Sequence, residues 1–292
     1  MTYRECYEQG CRTLQAAGIE EATLDARLLL EEVCGTDRND LLVHGDQPVA
    51  PEAEEKYLNW IRQRAEHIPL QQLTGEQDFM GLTFSVNEHV LIPRQDTEIL
   101  VEEVLKELHD RMRILDMCTG SGCILLSLLH YSNDCEGLGV DLSAEALEVA
   151  GRNALKVLTP EKAEHAHFLQ SDLFEKVEGK FEIIVSNPPY IASAEVEKLM
   201  PEVRDHEPRM ALDGTEDGLH FYRRIIEEAG KHLVSSGMLF FEIGYDQGQA
   251  VSELMRTEGY REVQVVQDYA GLDRVVFGTY VTVQPAPFAK SR

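Results

Sequence analysis

The sequence predicts an α/β protein: a mostly parallel seven-stranded sheet whose last strand runs antiparallel, preceded by a small N-terminal helical bundle and a linking β-hairpin. Three observations predict it. From residue 113 onward, short apolar runs alternate with amphipathic, helix-spaced runs, the pattern of a parallel sheet covered by helices on both faces. The final two strand-like runs, 262–267 and 274–280, have only six residues between them. That gap is too short for a helical crossover, so the two must be antiparallel. Up to about residue 70 the apolar spacing is helical only.

The elements follow in order. Thr2 and Glu5 form a capping box, and Gly18 is a stop for the helix it opens. Leu24, Leu28, Leu29 and Val33 keep helical spacing until Gly35. A third long helix opens at Pro51, with Tyr57, Trp60, Ile61 and Ala65 on its inner face. Phe79, Leu82, Phe84 and Val86 flank Met80-Gly81, which suggests the hairpin. Asp96 or Thr97 then caps a helix running to about residue 108. Predicted strands are 113–117, 138–141, 167–169, 181–186 and 238–243, besides the last two. Predicted helices are 123–131, 144–158, 219–234 and 247–257. The expected domains are a helical domain over 1–72, a hairpin linker over 73–92, the sheet domain over 93–283 and a disordered tail over 284–292.

Bulk properties restrict the function. Acidic residues number 52 against 27 basic ones, a formal net charge of -25. Such a chain repels phosphate backbones at long range, so no stable nucleic-acid binding is expected. No apolar run approaches the ~20 residues of a membrane-spanning helix. No signal peptide is visible behind Met1-Thr2-Tyr3. The six cysteines make no C-x-x-C pair and have no histidines at zinc spacing, so a reducing, cytoplasmic setting without disulfides or metal is expected. The scattered histidines, His89, His206 and His220 among them, attract no catalytic role, and Glu227-Glu228 reads as a solvated helix face.

Two segments carry chemistry. The first, Asp116-Met117-Cys118-Thr119-Gly120-Ser121-Gly122, follows a strand and opens a helix, so its glycines let a ligand approach backbone N–H groups. Such a loop serves a dinucleotide, a phosphate or S-adenosylmethionine. The full dinucleotide fingerprint and the phosphate loop's Gly-Lys-Ser/Thr are both absent. The next strand ends at Asp141, placed to accept hydrogen bonds from ribose hydroxyls. The third ends at Ser171-Asp172-Leu173, where Asp172 suits an adenine amino group and Leu173 its face.

The second segment is Asn187-Pro188-Pro189-Tyr190, entered directly from a buried strand. Two prolines fix φ and offer no N–H, so the turn presents carbonyls rigidly. The Asn187 side-chain oxygen and the Pro188 carbonyl can each accept one hydrogen of an –NH2 group, and Tyr190 offers a flat face to a planar acceptor. Methyl transfer needs nitrogen, carbon and sulfur close to a line, so positioning is most of the catalysis.

These residues resemble the protein-(glutamine-N5) methyltransferases that modify peptide chain release factors, the PrmC/HemK family. The resemblance spans nearly the whole chain. It rests on Pro93-Arg94-Gln95-Asp96-Thr97-Glu98, the loop from Asp116 to Gly122, Asn187-Pro188-Pro189-Tyr190, Glu207-Pro208 with Ala211, Leu212 and Gly214, and Asp268-Tyr269 ahead of Arg274. It implies a class I Rossmann-like methyltransferase sheet, S-adenosylmethionine as methyl donor with S-adenosylhomocysteine as product, and a release-factor glutamine as acceptor. By resemblance, Cys118, Thr119, Gly120, Ser121, Gly122, Asp141, Leu173 and Asn187 contact the cofactor, Asn187 to Tyr190 hold the glutamine, and the N-terminal bundle docks the release factor. A monomer is expected. The chain departs from the common family form at Cys118, where many members have glycine, and at Gln95, where many have proline. Asn-Pro-Pro-Tyr is also shared with adenine-N6 nucleic-acid methyltransferases, an alternative that the acidic balance disfavours.

Overall fold

The computed structural model describes residues 1–281; the tail expected to be disordered, 284–292, lies outside them. Two compact units form. One gathers Met1–Glu76, Val86–Glu88 and Lys198–Glu207; the other gathers Gln77–Ser85, His89–Glu197 and the chain from Pro208.

The first unit holds α1 (Tyr3–Ala16), α2 (Ala22–Cys34), α3 (Arg38–Val43), α4 (Pro51–Ala65) and α5 (Leu70–Thr74). The capping box is present: Glu5 N donates to the Thr2 hydroxyl at 3.2 Å and Thr2 N to the Glu5 carboxylate at 2.8 Å. Gly35 closes α2 in the left-handed region at φ 60°. Leu14, Ala26, Leu29, Leu30, Tyr57 and Ile61 form the core. Trp60 and Ala65, expected on the inner face of α4, are only half-buried, while Arg64 is buried. The arginine is drawn inward by carboxylates: it pairs with Asp25 at 2.8 Å and with Glu202 at 3.1 Å.

A hairpin of β1 (Glu76–Phe79) and β2 (Leu82–Ser85) follows, in the second unit from Gln77 on. Met80 and Gly81 both have positive φ, 52° and 71°, which a tight two-residue hairpin turn requires. Then come α6 (Glu98–Glu107), β3 (Arg113–Met117), α7 (Cys123–Tyr131), β4 (Glu136–Asp141), α8 (Ala144–Val157), α9 (Pro160–Ala163), β5 (Ala166–Gln170) and β6 (Phe181–Ser186). After the short helices α10 (Ser193–Val196), α11 (Pro201–His206, in the first unit) and α12 (Arg209–Leu212) follow α13 (His220–Ala229), β7 (Leu233–Glu242), α14 (Gly248–Thr257), β8 (Arg261–Gln267) and β9 (Asp273–Thr279).

The seven strands order as β5-β4-β3-β6-β7-β9-β8, and β9 alone runs against the rest. The strands alternate between two cores with the period of two that a pleated sheet imposes. Ile114, Ile183, Val185, Phe240 and Val275 pack with α6, α7 and α8, while Leu115, Ile184, Leu239, Phe241 and Val276 pack with α13 and α14.

Two further expectations are corrected. Thr97 stands at the N-cap of α6, but neither its side chain nor that of Asp96 makes a capping hydrogen bond. Residues Gln95–Thr97 form a 3₁₀ turn instead, and Asp96 is engaged by Arg274 at 3.3 Å. The helix expected over 219–234 ends at Ala229, because Leu233 pairs with Phe181 and starts β7 early. The short helices α3, α5, α9, α10, α11 and α12 carry too little period in one or two turns to register in the sequence.

Candidate active site

Strand register builds the site. Met117 lies beside Val140 on one flank and Ser186 on the other. The next residue of each strand, Cys118, Asp141 and Asn187, is therefore delivered side by side at the carboxyl ends of the strands. The chain leaves β3 toward β4 on one side and returns to β6 on the other, a switch point where such sheets form a ligand crevice. A cavity of about 210 Å³ occupies this place.

The loop after β3 is bent by backbone conformation. Cys118, Gly120 and Gly122 all have positive φ, at 63°, 55° and 79°. Cys118 accepts a conformation that costs a non-glycine residue roughly 1–2 kcal/mol. At Gly122 a Cβ would stand 3.1 Å from Leu126 and 3.2 Å from Ala150, so this glycine serves the close entry into α7 and does not line the cavity. Cys118, Thr119, Gly120 and Ser121 do line it.

Asp141 binds the loop: Gly120 N donates to its Oδ2 at 2.9 Å and Ser143 N to its Oδ1 at 3.0 Å. Burial raises its carboxyl above the usual range, and these backbone donors oppose the shift. Beneath the loop, burial pushes the Asp116 carboxyl up to about 7 despite the Thr119 hydroxyl donating to it at 2.6 Å. Burial raises the Cys118 thiol too, so it is not a thiolate nucleophile.

Asp172 and Leu173 both reach the cavity. Asp172 is also paired with Arg224 at 2.9 Å. Leu173 is buried.

In the second segment, Asn187 and Pro189 line the cavity, whereas Pro188 and Tyr190 do not. No side-chain hydrogen bond ties the Asn187 amide to the described residues, so it remains available at the wall. No backbone N–H of the described loops is spent on the Pro188 carbonyl. The Tyr190 hydroxyl donates to buried Glu242 at 3.3 Å, and burial raises its phenol well above the ordinary value.

The sequence reading missed other members. Arg94, Thr97, Met210 and Phe221 are among the further residues of the wall. Asn153 on α8 donates to Ser121 O at 2.9 Å and holds Ser85 of the hairpin through two further bonds, at 2.7 and 3.0 Å. Only the lone polar residue on the apolar face of α8 signalled it.

A family profile described as the PrmC N-terminal domain matches residues 5–75, and one described as the methyltransferase small domain matches residues 94–203. A relative in Moorella thermoacetica, named release factor glutamine methyltransferase, is 44% identical over 278 residues, covering 94% of this chain and 97% of its own. Relatives of the same name in Agrobacterium fabrum and Clostridium acetobutylicum are each 41% identical, covering 91% and 86% of this chain and 93% and 89% of their own. With such identity along almost the full length, the chain belongs to the release factor glutamine methyltransferase family.

Proposed function

We infer that this chain transfers a methyl group from S-adenosylmethionine to the side-chain amide nitrogen of the glutamine in the Gly-Gly-Gln motif of peptide chain release factors. The observation that carries the reading is the register of β3, β4 and β6, which sets the glycine-rich loop, Asp141 and the unpartnered Asn187 amide around one cavity.

The residues fit a nucleoside-bearing cofactor. Asp141 retains lone pairs for ribose hydroxyls, Leu173 offers an apolar face to adenine, and Asp172 an acceptor for its amino group. S-adenosylmethionine, when bound there, supplies an electrophilic methyl group on a sulfonium. The chain's own contribution is positioning. Asn187 Oδ1 and the Pro188 carbonyl each accept one hydrogen of the glutamine –NH2, which orients its nitrogen and raises its electron density. The two prolines hold these acceptors in place before the acceptor arrives. Pro189 forms wall, and Tyr190 anchors the turn through Glu242. The proton leaves to water after transfer, so no strong base is needed.

On this reading residues 1–72 dock the release factor, 73–92 link, and 93–283 carry the transfer. The enzyme works as a monomer in the cytoplasm. No helix among the described residues is long and apolar enough to cross a membrane. Mass spectrometry of a release factor and of DNA after incubation with labelled cofactor tests the proposal. A label on the Gly-Gly-Gln glutamine and none on adenine is expected, and the reverse pattern would overturn it.

A further inference from the structure

The turn Asn187–Tyr190 has a shortage of donors. Pro188 and Pro189 have no N–H, so the turn cannot be fixed through its own central amides. It is instead held by a carbonyl and by close packing of backbone. Gln247, at the entry to α14, donates from Nε2 to Tyr190 O at 3.0 Å and to Gly218 O at 3.4 Å. Its Oε1 accepts from Gly244 N at 2.9 Å. The amide orientation is forced, because two carbonyls can only accept and a backbone N–H can only donate.

Two glycines close the other side. A Cβ on Gly218 would lie 2.3 Å from Tyr190 O, and one on Gly214 would lie 2.8 Å from both Pro189 O and Tyr190 Cα. The chain beyond is stapled as well, by Ile191 N donating to Leu212 O at 3.0 Å and Gly214 N to Ile191 O at 2.8 Å. Gln247 is braced in turn by the fully buried Tyr222, whose hydroxyl donates to Glu242 O at 2.9 Å and lies 3.4 Å from Gln247 Oε1.

We propose that Gln247 is a positioning residue for the methyl acceptor: its side-chain amide fixes the Tyr190 carbonyl and thereby the aim of Asn187 and the Pro188 carbonyl. This rests on the reading of that turn as the acceptor site. Gln247 does not line the cavity, and its side-chain hydrogen bonds go to Tyr190, Gly218, Gly244 and Tyr222, none of them in the loop from Cys118 to Ser121. Its loss therefore acts on turnover and spares cofactor affinity. A 1 Å misplacement of an acceptor costs about a hundredfold in rate.

The test measures kcat and KM with a purified release factor, and S-adenosylhomocysteine affinity by calorimetry. Gln247→Glu keeps size and the acceptor for Gly244 N but sets an oxygen against two carbonyls. Gln247→Met removes the donor without adding repulsion. The expected result is a kcat loss of about tenfold to a hundredfold in Gln247→Glu and a smaller loss in Gln247→Met. Cofactor affinity and the KM for release factor should stay within about twofold in both. Asn187→Ala is run alongside. If it loses turnover while both Gln247 variants keep more than half of theirs, the clamp is overturned and the acceptor reading stands. If cofactor affinity falls in step with kcat, Gln247 is merely structural and the proposal also fails. Full turnover in Asn187→Ala would instead overturn the acceptor reading and the clamp built on it.

Discussion

The Thr119 hydroxyl donates to the Asp116 carboxylate at 2.6 Å, beneath the loop that follows β3. Asp116 is fully buried, and its Oδ1 has no hydrogen-bond partner among the described residues. Burial pushes this carboxyl up to about 7, above the ~4 of an exposed aspartate. The folded chain thus keeps a proton over a range in which the unfolded chain has lost it. The stability this adds is full below about pH 4 and is lost as pH rises through about 7.

Asp116→Asn, which still offers Thr119 an oxygen, should flatten that decline. The measurement is the urea midpoint of both proteins from pH 4 to 8. Parallel curves would show that Asp116 is ionised throughout and that its proton plays no part.

Asp141 is tested through ligand affinity, since both of its oxygens already accept backbone N–H groups of the loops they organise. Asp141→Ala strands two amides and removes the acidic rim. Stranding a buried donor costs about 1–3 kcal/mol, which as lost binding is roughly five- to 150-fold in S-adenosylhomocysteine affinity. Asp141→Asn keeps one acceptor and should lose less. Calorimetry that finds native affinity in Asp141→Ala would take this residue out of the cofactor site.

The sheet and its two chemical segments were legible because their signals are local. Ile183, Ile184 and Val185 alternate between cores, and the glycines after Met117 and the prolines after Asn187 mark turns on their own. What was not legible depends on residues far apart in the chain. Glu202 reads as one acid among many, yet it meets Arg64 across 138 positions. Gln247 and Asn153 read as polar positions on helices, and only the folded backbone turns their amides toward carbonyls. Asp96 looked like a cap because local sequence cannot reveal that Arg274 competes for it.

The Arg64 pairing has a measurable consequence within the helical unit. Arg64 sits between Asp25 at 2.8 Å and Glu202 at 3.1 Å, and His67 reaches the same Glu202 oxygen at 3.1 Å. Replacing the cation leaves two poorly solvated carboxylates facing each other. Arg64→Met should therefore destabilise by about 3–5 kcal/mol, read as a lower urea midpoint. Glu202→Gln, which keeps an acceptor, should cost less and should expose Lys198–Glu207 to limited proteolysis only weakly. Equal loss in the two variants would mean that the segment is held by apolar packing.

Asn153 makes the last case, because one side chain serves three backbone groups. Its Oδ1 accepts from Ser85 N at 2.7 Å, and its Nδ2 donates to Ser85 O at 3.0 Å and to Ser121 O at 2.9 Å. The residue is fully buried, so water cannot replace it. Asn153→Leu keeps the branched shape while orphaning all three groups, at about 1–3 kcal/mol each if none relaxes. The hairpin can move aside, so a total near 3 kcal/mol is the expected loss of stability. Ser121 cannot relax without disturbing the cavity wall. The variant should therefore also bind S-adenosylhomocysteine at least about fivefold more weakly at a temperature where it remains folded, since a one-kcal/mol strain on the loop is worth that factor. A destabilised variant with unaltered affinity would show that Asn153 supports the hairpin alone.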